Sequence, residues 1–250
     1  MNDKFRRLPF VKMHGAGNDY VYIDCTGYLS ALEDCGELPE LARAISDRHF
    51  GVGGDGLVLI FRDEECDFRM RMFNADGSEA QMCGNASRCI GKYVHDAGLT
   101  DKTTVTLRTL AGVKVLHLHV GDDGLVSTVT VDMGIPVTDP ARVPCLFPGE
   151  VMKSEPVEAG GRTFLVTAVS MGNPHGVIFT DEELTDGLVL GYGPLLERHP
   201  VWPQKCNIEF VNVLSPERLR MRVWERGTGE TLACGTGACA TVVAAVINSL

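Results

Sequence analysis

Short apolar runs, broken often by glycine, predict many short strands and few long helices. Residues 20–24 (Y-V-Y-I-D), 57–61 (L-V-L-I-F) and 68–73 (F-R-M-R-M-F) have strand character, the last by strict alternation. Residues 37–47 carry a helical pattern, and a second helix is expected to begin near Cys83 and run to about Ala97, with Gly98 as its C-cap. The run V-K-V-L-H-L-H-V, the turn G-D-D-G and the run L-V-S-T-V-T-V-D-M predict a hairpin over residues 113–133. His117 and His119 alternate with apolar residues there and belong to a strand face, not to a ligand set. The second half repeats the pattern, with strands expected at 163–169, 176–180, 208–213 and 219–225 and a helix starting near Cys234.

The repetition extends to the letters. Residues 79–85 read E-A-Q-M-C-G-N and residues 230–236 read E-T-L-A-C-G-T, an offset of 151. Each copy follows a Gly/Ser/Thr turn and precedes a small, apolar helical stretch. A second echo pairs M-H-G-A-G-N at 13–18 with M-G-N-P-H at 171–175, their asparagines 155 apart. Two matches at nearly one offset indicate a duplicated lobe. The expected fold is α/β (α+β): two similar lobes, each a curved, mostly antiparallel sheet or barrel around a central helix. Residues 1–132 would form the lobe carrying Cys83 and residues 133–250 the lobe carrying Cys234, with the site expected in the cleft between them.

Composition narrows the function classes. Apolar content of 44% and charged content of 22% suit a globular protein. A net charge of −10 leaves no basic surplus for nucleic acid or an anionic membrane. The basic N-terminus has no apolar stretch behind it to make a signal peptide, and no window has the length of a membrane helix. A cytoplasmic location is therefore expected. Nine cysteines, an odd number without a C-x-x-C pair, predict neither a disulfide framework nor a zinc site. Most are expected to be small buried hydrophobes, the exceptions being those where a thiolate is stabilised.

Cys83 and Cys234 are those exceptions. A helix N-terminus offers unpaired N–H groups and partial positive charge, which lower a thiol pKa into the range of about 3.5–7.5 and bind a carboxylate. Two such thiols flanking one carbon are arranged to remove a proton from one face and deliver one to the other, which inverts an α-carbon. The roles exchange in the reverse direction.

These blocks, with K-M-H-G-A-G-N-D-Y at 12–20, R-H-F-G-V-G-G-D at 48–55, F-N-A-D-G-S at 73–78, N-I-E-F-V-N at 207–212 and E-R-G-T-G at 225–229, resemble the diaminopimelate epimerases, from Val11 to about Ile247. These are pyridoxal-independent amino-acid epimerases of the two-lobed family that includes proline racemases. The resemblance implies conversion of LL- to meso-diaminopimelate with no cofactor and no metal, in lysine and peptidoglycan precursor synthesis, by a homodimer. It implies Cys83 and Cys234 as the acid/bases. Substrate contacts are implied for Asn18, Asn74, Asn173, Asn207, Glu225 and Arg226, and for the amides of Gly84, Asn85, Gly235 and Thr236. His175 and Glu225 are implied to set the protonation states of the thiols.

Independent chemistry fits part of this set. Arg226 offers a bidentate fork for a distal carboxylate, and asparagine carbonyls with Glu225 offer acceptors for a distal ammonium. Asn18 and Asn173 equally suit the Gly-rich turns that hold them. His14 is expected to hydrogen-bond locally. Glu79 and Glu230 are read as charges near helix N-termini, outside the catalytic set. The G-V-G-G-D-G run at 51–56 fits neither phosphate-binding fingerprint.

Two departures stand out. Some family members carry a substrate-contacting glutamine where this chain has Gly56, and the family usually adds a pair of strands beyond the Cys234 helix, where this sequence stops at Leu250. The competing readings are a racemase of another amino acid such as histidine, a duplicated amino-acid-binding protein with dispensable cysteines, and a Cys–His hydrolase, which leaves the second cysteine unexplained.

Overall fold

A computed structural model describes residues 7–250. They divide into two compact units, the first ending at Asp132 and the second spanning Met133–Leu250.

The first unit contains β1 (Val11–Gly15), β2 (Asn18–Asp24), α1 (Leu38–Ser46), β3 (Gly56–Arg62), β4 (Phe68–Asn74), α2 (Gly84–Asp96), β5 (Thr104–Thr109), β6 (Gly112–Val120) and β7 (Val126–Val131). The seven strands form one sheet in chain order. Only β2–β3 and β4–β5 are parallel. Helix α2 packs against β1, β6 and β7, so the sheet curls round it from both edges. The apolar run of β3 is explained by burial on both faces. Val58 and Ile60 join the core beneath α2, while Leu57, Leu59 and Phe61 join the core beneath α1. Each of these fully buried side chains contributes roughly 1.5–3 kcal/mol. Helix α2 stops where Gly98 takes a φ of 71°, and the Leu99 amide donates back to the Val94 carbonyl.

The second unit contains β8 (Glu155–Ala159), β9 (Arg162–Ser170), β10 (Pro174–Phe179), α3 (Asp186–Glu197), β11 (Asn207–Ser215), β12 (Arg218–Glu225), β13 (Gly229–Thr231) and α4 (Gly235–Asn248). Its six strands also lie in chain order, with β10–β11 as the one parallel pair. Ile208 and Phe210 of β11 face the core beneath α3, and Val211 faces the core beneath α4. Helix α3 is absent from the sequence reading because glycines and Pro194 interrupt its pattern. Thr185 caps it by accepting from the Leu188 amide at 3.3 Å. Both sheets are curled, as expected; the first wraps α2 and carries α1 on its other face, whereas in the second α4 packs against β9–β12 and α3 packs on the other face, against β8 and β11–β13.

The strand registers make the repeat explicit. Tyr20 pairs with Gly56 and Gly56 with Asn74. In the second unit His175 pairs with Asn207, and the Ile208–Trp224 pair puts Glu225 opposite Asn207. Six position pairs thus correspond: Asn18 and Asn173, Tyr20 and His175, Gly56 and Asn207, Val58 and Glu209, Asn74 and Glu225, Cys83 and Cys234.

Candidate active site

Cys83 and Cys234 are the residues immediately before α2 and α4. Their backbones are extended, with φ of −139° and −125°. Their carbonyls accept the first helical bonds, from the Ser87 and Ala238 amides at 2.9 Å each. Each side chain therefore stands at a helix mouth beside the first-turn amides, those of Gly84 and Asn85 in one unit and Gly235 and Thr236 in the other.

Around Cys83 the polar groups form a chain. Its thiol donates to Asn18 Oδ1 at 3.6 Å, which also accepts from Asn85 Nδ2 at 3.2 Å. Asn18 Nδ2 donates to Asp55 Oδ2 at 2.7 Å, and the Asp19 amide donates to the same oxygen at 3.0 Å. Arg48 bridges Asp55 and Asp19 at 2.9 and 2.7 Å. The Arg48 contact, then Lys12, holds the Asp19 carboxyl down to about 2. The buried phenol of Tyr20 adjoins Asn18 and Cys83, and burial first, then the Cys83 charge, pushes it well above the usual tyrosine range. His14 does bond locally, accepting from the Gly17 amide at 3.4 Å. At Gly56, a Cβ on this backbone would lie 2.1 Å from the Phe73 carbonyl oxygen, so the position has no room for a side chain.

The surroundings of Cys234 are more buried and more charged. Its sulfur accepts from the Gly237 amide at 3.3 Å and lies 3.4 Å from the Thr236 hydroxyl. Asn173 Nδ2 donates to that hydroxyl at 3.3 Å, and Asn173 Oδ1 lies 3.0 Å from His175 Nε2. His175 Nδ1 is 2.7 Å from Glu209 Oε1, and both side chains have zero exposure. Glu225 accepts from the Thr231 hydroxyl, and burial pushes its carboxyl up. The lowered thiol pKa expected at a helix mouth is not what this environment gives. Burial, then Glu225 and Glu209, push the Cys234 thiol well above its ordinary value, against the opposing Thr236 and Gly237 contacts.

The remaining expected residues lie at the ends of the same strands. Asn74 closes the turn after β4, donating through Nδ2 to Ser78 Oγ at 3.0 Å. Buried Asn207 donates to the Pro174 carbonyl at 2.8 Å and accepts from the Arg226 amide at 2.9 Å, joining β10 to the turn after β12. Arg226 itself is exposed, with Nη1 3.3 Å from the Gln204 carbonyl.

The two glutamates that open the repeated motif act differently from the expected helix-end charges. Arg71 grips Glu79 with Nε at 2.7 Å and Nη2 at 3.1 Å, and Arg222 grips Glu230 with Nε at 2.7 Å and Nη2 at 2.9 Å. Each arginine also donates to a backbone carbonyl, of Glu33 and Leu184 respectively. These matched bidentate pairs pin the segment that delivers each cysteine four residues later. Asp55 and Glu209 are the functional candidates that the sequence reading passes over. Asp55 ends a glycine run at a strand entrance, and Glu209 is a carboxylate inside the otherwise apolar run 208–211.

Among the described residues no helix is long and apolar enough to span a membrane, and no group of three or more His, Cys, Asp or Glu is placed to hold a metal ion.

The family model described as diaminopimelate epimerase matches residues 10–138 and 167–250. A diaminopimelate epimerase of Acetivibrio thermocellus is 53% identical over 251 residues, covering 97% of this chain and 84% of that protein. Among solved structures, a probable proline racemase from Agrobacterium radiobacter, with bound carbonate, superposes with a TM-score of 0.69 at 15% identity, covering 97% of this chain and 78% of that one. A hydroxyproline epimerase from Agrobacterium vitis, with bound trans-4-hydroxy-L-proline, gives 0.66 at 15% identity over 98% of this chain and 78% of that one. These two share the fold of paired similar lobes, and the match in sequence goes further: this chain belongs to the diaminopimelate epimerase family.

Proposed function

We propose that this isomerase converts LL-diaminopimelate to meso-diaminopimelate, with Cys83 and Cys234 as the two acid/bases. The carrying observation is the duplication of one device: a cysteine immediately before a helix, delivered by an Arg–Glu clamp, with an asparagine that meets the thiol itself in the first unit and the Thr236 hydroxyl beside it in the second. A single nucleophile needs one such device. Proton exchange at two faces of one carbon needs two.

The substrate α-carboxylate binds the amides of Gly84, Asn85, Gly235 and Thr236. Their dipoles stabilise the charge that develops on the carboxylate as the α-proton leaves. One cysteine, as thiolate, removes that proton, and the other, as thiol, protonates the opposite face. The environment that holds Cys234 as a thiol supports it as the proton donor in one direction of turnover. Asn18, Asn74, Asn173, Asn207, Glu225 and Arg226 bind the substrate, with Arg226 taking the distal carboxylate and Glu225 the distal ammonium. His175 and Glu225 govern the protonation of the thiols. On the same reading the enzyme needs no cofactor or metal and works in the cytoplasm as a homodimer.

Chiral chromatography after incubation with each diaminopimelate isomer and a panel of common amino acids tests the assignment. Interconversion of the LL and meso isomers, in buffer containing reductant and chelator, is the expected result. Racemisation of another amino acid such as histidine, with diaminopimelate untouched, would overturn it.

A further inference from the structure

The two halves of the duplicated device differ in one respect that the substrate assignment does not explain. In the first unit the positions behind the cysteine are Tyr20 and Val58. In the second unit the corresponding positions are His175 and Glu209, a buried titratable pair 2.7 Å apart. Glu209 has zero exposure, and its second oxygen, Oε2, is buried with no protein hydrogen bond. A carboxylate held this way is costly, and an apolar side chain of similar volume is usually as stable or more so. The first unit illustrates that alternative with Val58, which is fully buried at the equivalent place. Stability alone therefore does not account for Glu209.

Its location does. The carboxylate lies under the mouth of α4: a Cβ added to Gly237 would sit 2.6 Å from Glu209 Oε1 and 3.3 Å from the Cys234 sulfur. From Glu209 the contacts run through His175 to Asn173 at 3.0 Å, from Asn173 to Thr236 at 3.3 Å, and from Thr236 to the Cys234 sulfur at 3.4 Å. Every side chain between Glu209 and the thiol is thus fixed by the one behind it. The ring of His175 has no rotational freedom while Nδ1 is held by the carboxylate.

We infer that Glu209 is a positioning residue of the Cys234 half-site, a buried anion that fixes the ring of His175 and, through Asn173 and Thr236, the approach of the Cys234 thiol to substrate. It makes the two halves of a duplicated site chemically unequal. This rests on the proposed reaction, because its kinetic consequence is read in that reaction. The link from Glu209 to His175 can be read without it.

The test is a double-mutant cycle with Glu209→Gln and His175→Gln on the full chain, followed by inversion of diaminopimelate in both directions, together with ¹⁵N-edited spectra of the histidine rings. Glu209→Gln keeps the shape and removes the charge. Its kcat/KM is expected to fall about 10–100-fold, the usual range for groups that orient a functional histidine, while its unfolding midpoint stays near that of the parent. The double variant is expected to be no worse than about twofold below the poorer single variant, since both changes break one chain. The His175 Nδ1 proton is expected to shift between parent and Glu209→Gln. A folded Glu209→Gln within threefold of the parent, or a double variant whose loss equals the product of the single losses, would overturn the inference. If Glu209→Gln does not fold, Glu209→Val carries the same measurements, since valine already occupies the equivalent place in the first unit. A parent that leaves diaminopimelate unchanged would sink the proposed reaction instead. The ring spectra then decide the link alone, an unchanged Nδ1 proton in the variant refuting it.

Discussion

Asp55 gives the sharpest test of how the Cys83 half is held. Its carboxylate receives three donors: Asn18 Nδ2 at 2.7 Å, the Asp19 amide at 3.0 Å and Arg48 Nη2 at 2.9 Å. Asp55→Ala removes the acceptor for all three. A hydrogen bond to a charged group is worth about 1.5–3 kcal/mol when buried. Asp55 is 37% exposed and Arg48 55% exposed, so the arginine contact is discounted to about 0–1 kcal/mol. About 1 kcal/mol for each of the other two brings the total to roughly 2–3 kcal/mol. Asp55→Asn behaves differently. Its single carbonyl can keep Asn18 and the Asp19 amide, and its NH₂ then meets only the exposed arginine, which can swing away. That variant should lose at most about 1 kcal/mol. Activity should follow the same order, because Asn18 presents its carbonyl to the Cys83 thiol only while its NH₂ is held. A loss of about 10–100-fold in kcat/KM is expected for alanine, and a few-fold for asparagine. Urea unfolding and steady-state inversion kinetics on the same preparations measure both. Alanine and asparagine variants that are equally stable and equally active would refute this account of Asn18.

Two further outcomes are expected. Glu79→Gln and Glu230→Gln each turn a charged bidentate clamp into a weaker neutral contact, and each should cost about 1 kcal/mol, or about 2–4 °C in Tm. Matched losses in scanning calorimetry, with inversion slowed in both variants, support the clamp; a silent substitution in either unit argues against it. Asp19, held down to about 2 by Arg48 and then Lys12, contributes stability that is present above about pH 4 and lost as pH falls through 2. The stability difference between parent and Asp19→Asn should shrink over that window in acid titrations at fixed urea, and a difference independent of pH would contradict the assignment.

Much of the fold was legible because the helices and strands that frame the site have simple patterns. The alternation over 68–73, the apolar run at 57–61 and the E-x-x-x-C-G repeat each map onto an element or a helix entrance in the structure. Helix α3 was not legible, since three glycines and Pro194 interrupt its pattern, and of these Gly193 answers to a contact outside the helix: a Cβ there would meet Trp224 at 2.7 Å. The positions of the two cysteines at helix mouths were readable from local sequence. Their environments were not. Whether a helix mouth lowers a thiol pKa depends on what else is buried there, and Glu209 reaches Cys234 from a strand 25 positions earlier through a register that no local pattern encodes. Asp55 reaches Asn18 across 37 positions in the same way. The glutamates of the repeat were visible as letters, but the arginines that hold them come from neighbouring strands.

The two-thiol mechanism is tested most directly by isotope incorporation in D₂O at low conversion. If Cys83 and Cys234 serve opposite faces, the donor thiol exchanges with solvent between turnovers and the product gains one deuterium at the inverted carbon. Substrate recovered at the same early time stays unlabelled, because return to the original face restores the proton just removed. Early product that retains its original hydrogen would mean that one base carries the proton across, and would contradict the pairing of Cys83 with Cys234.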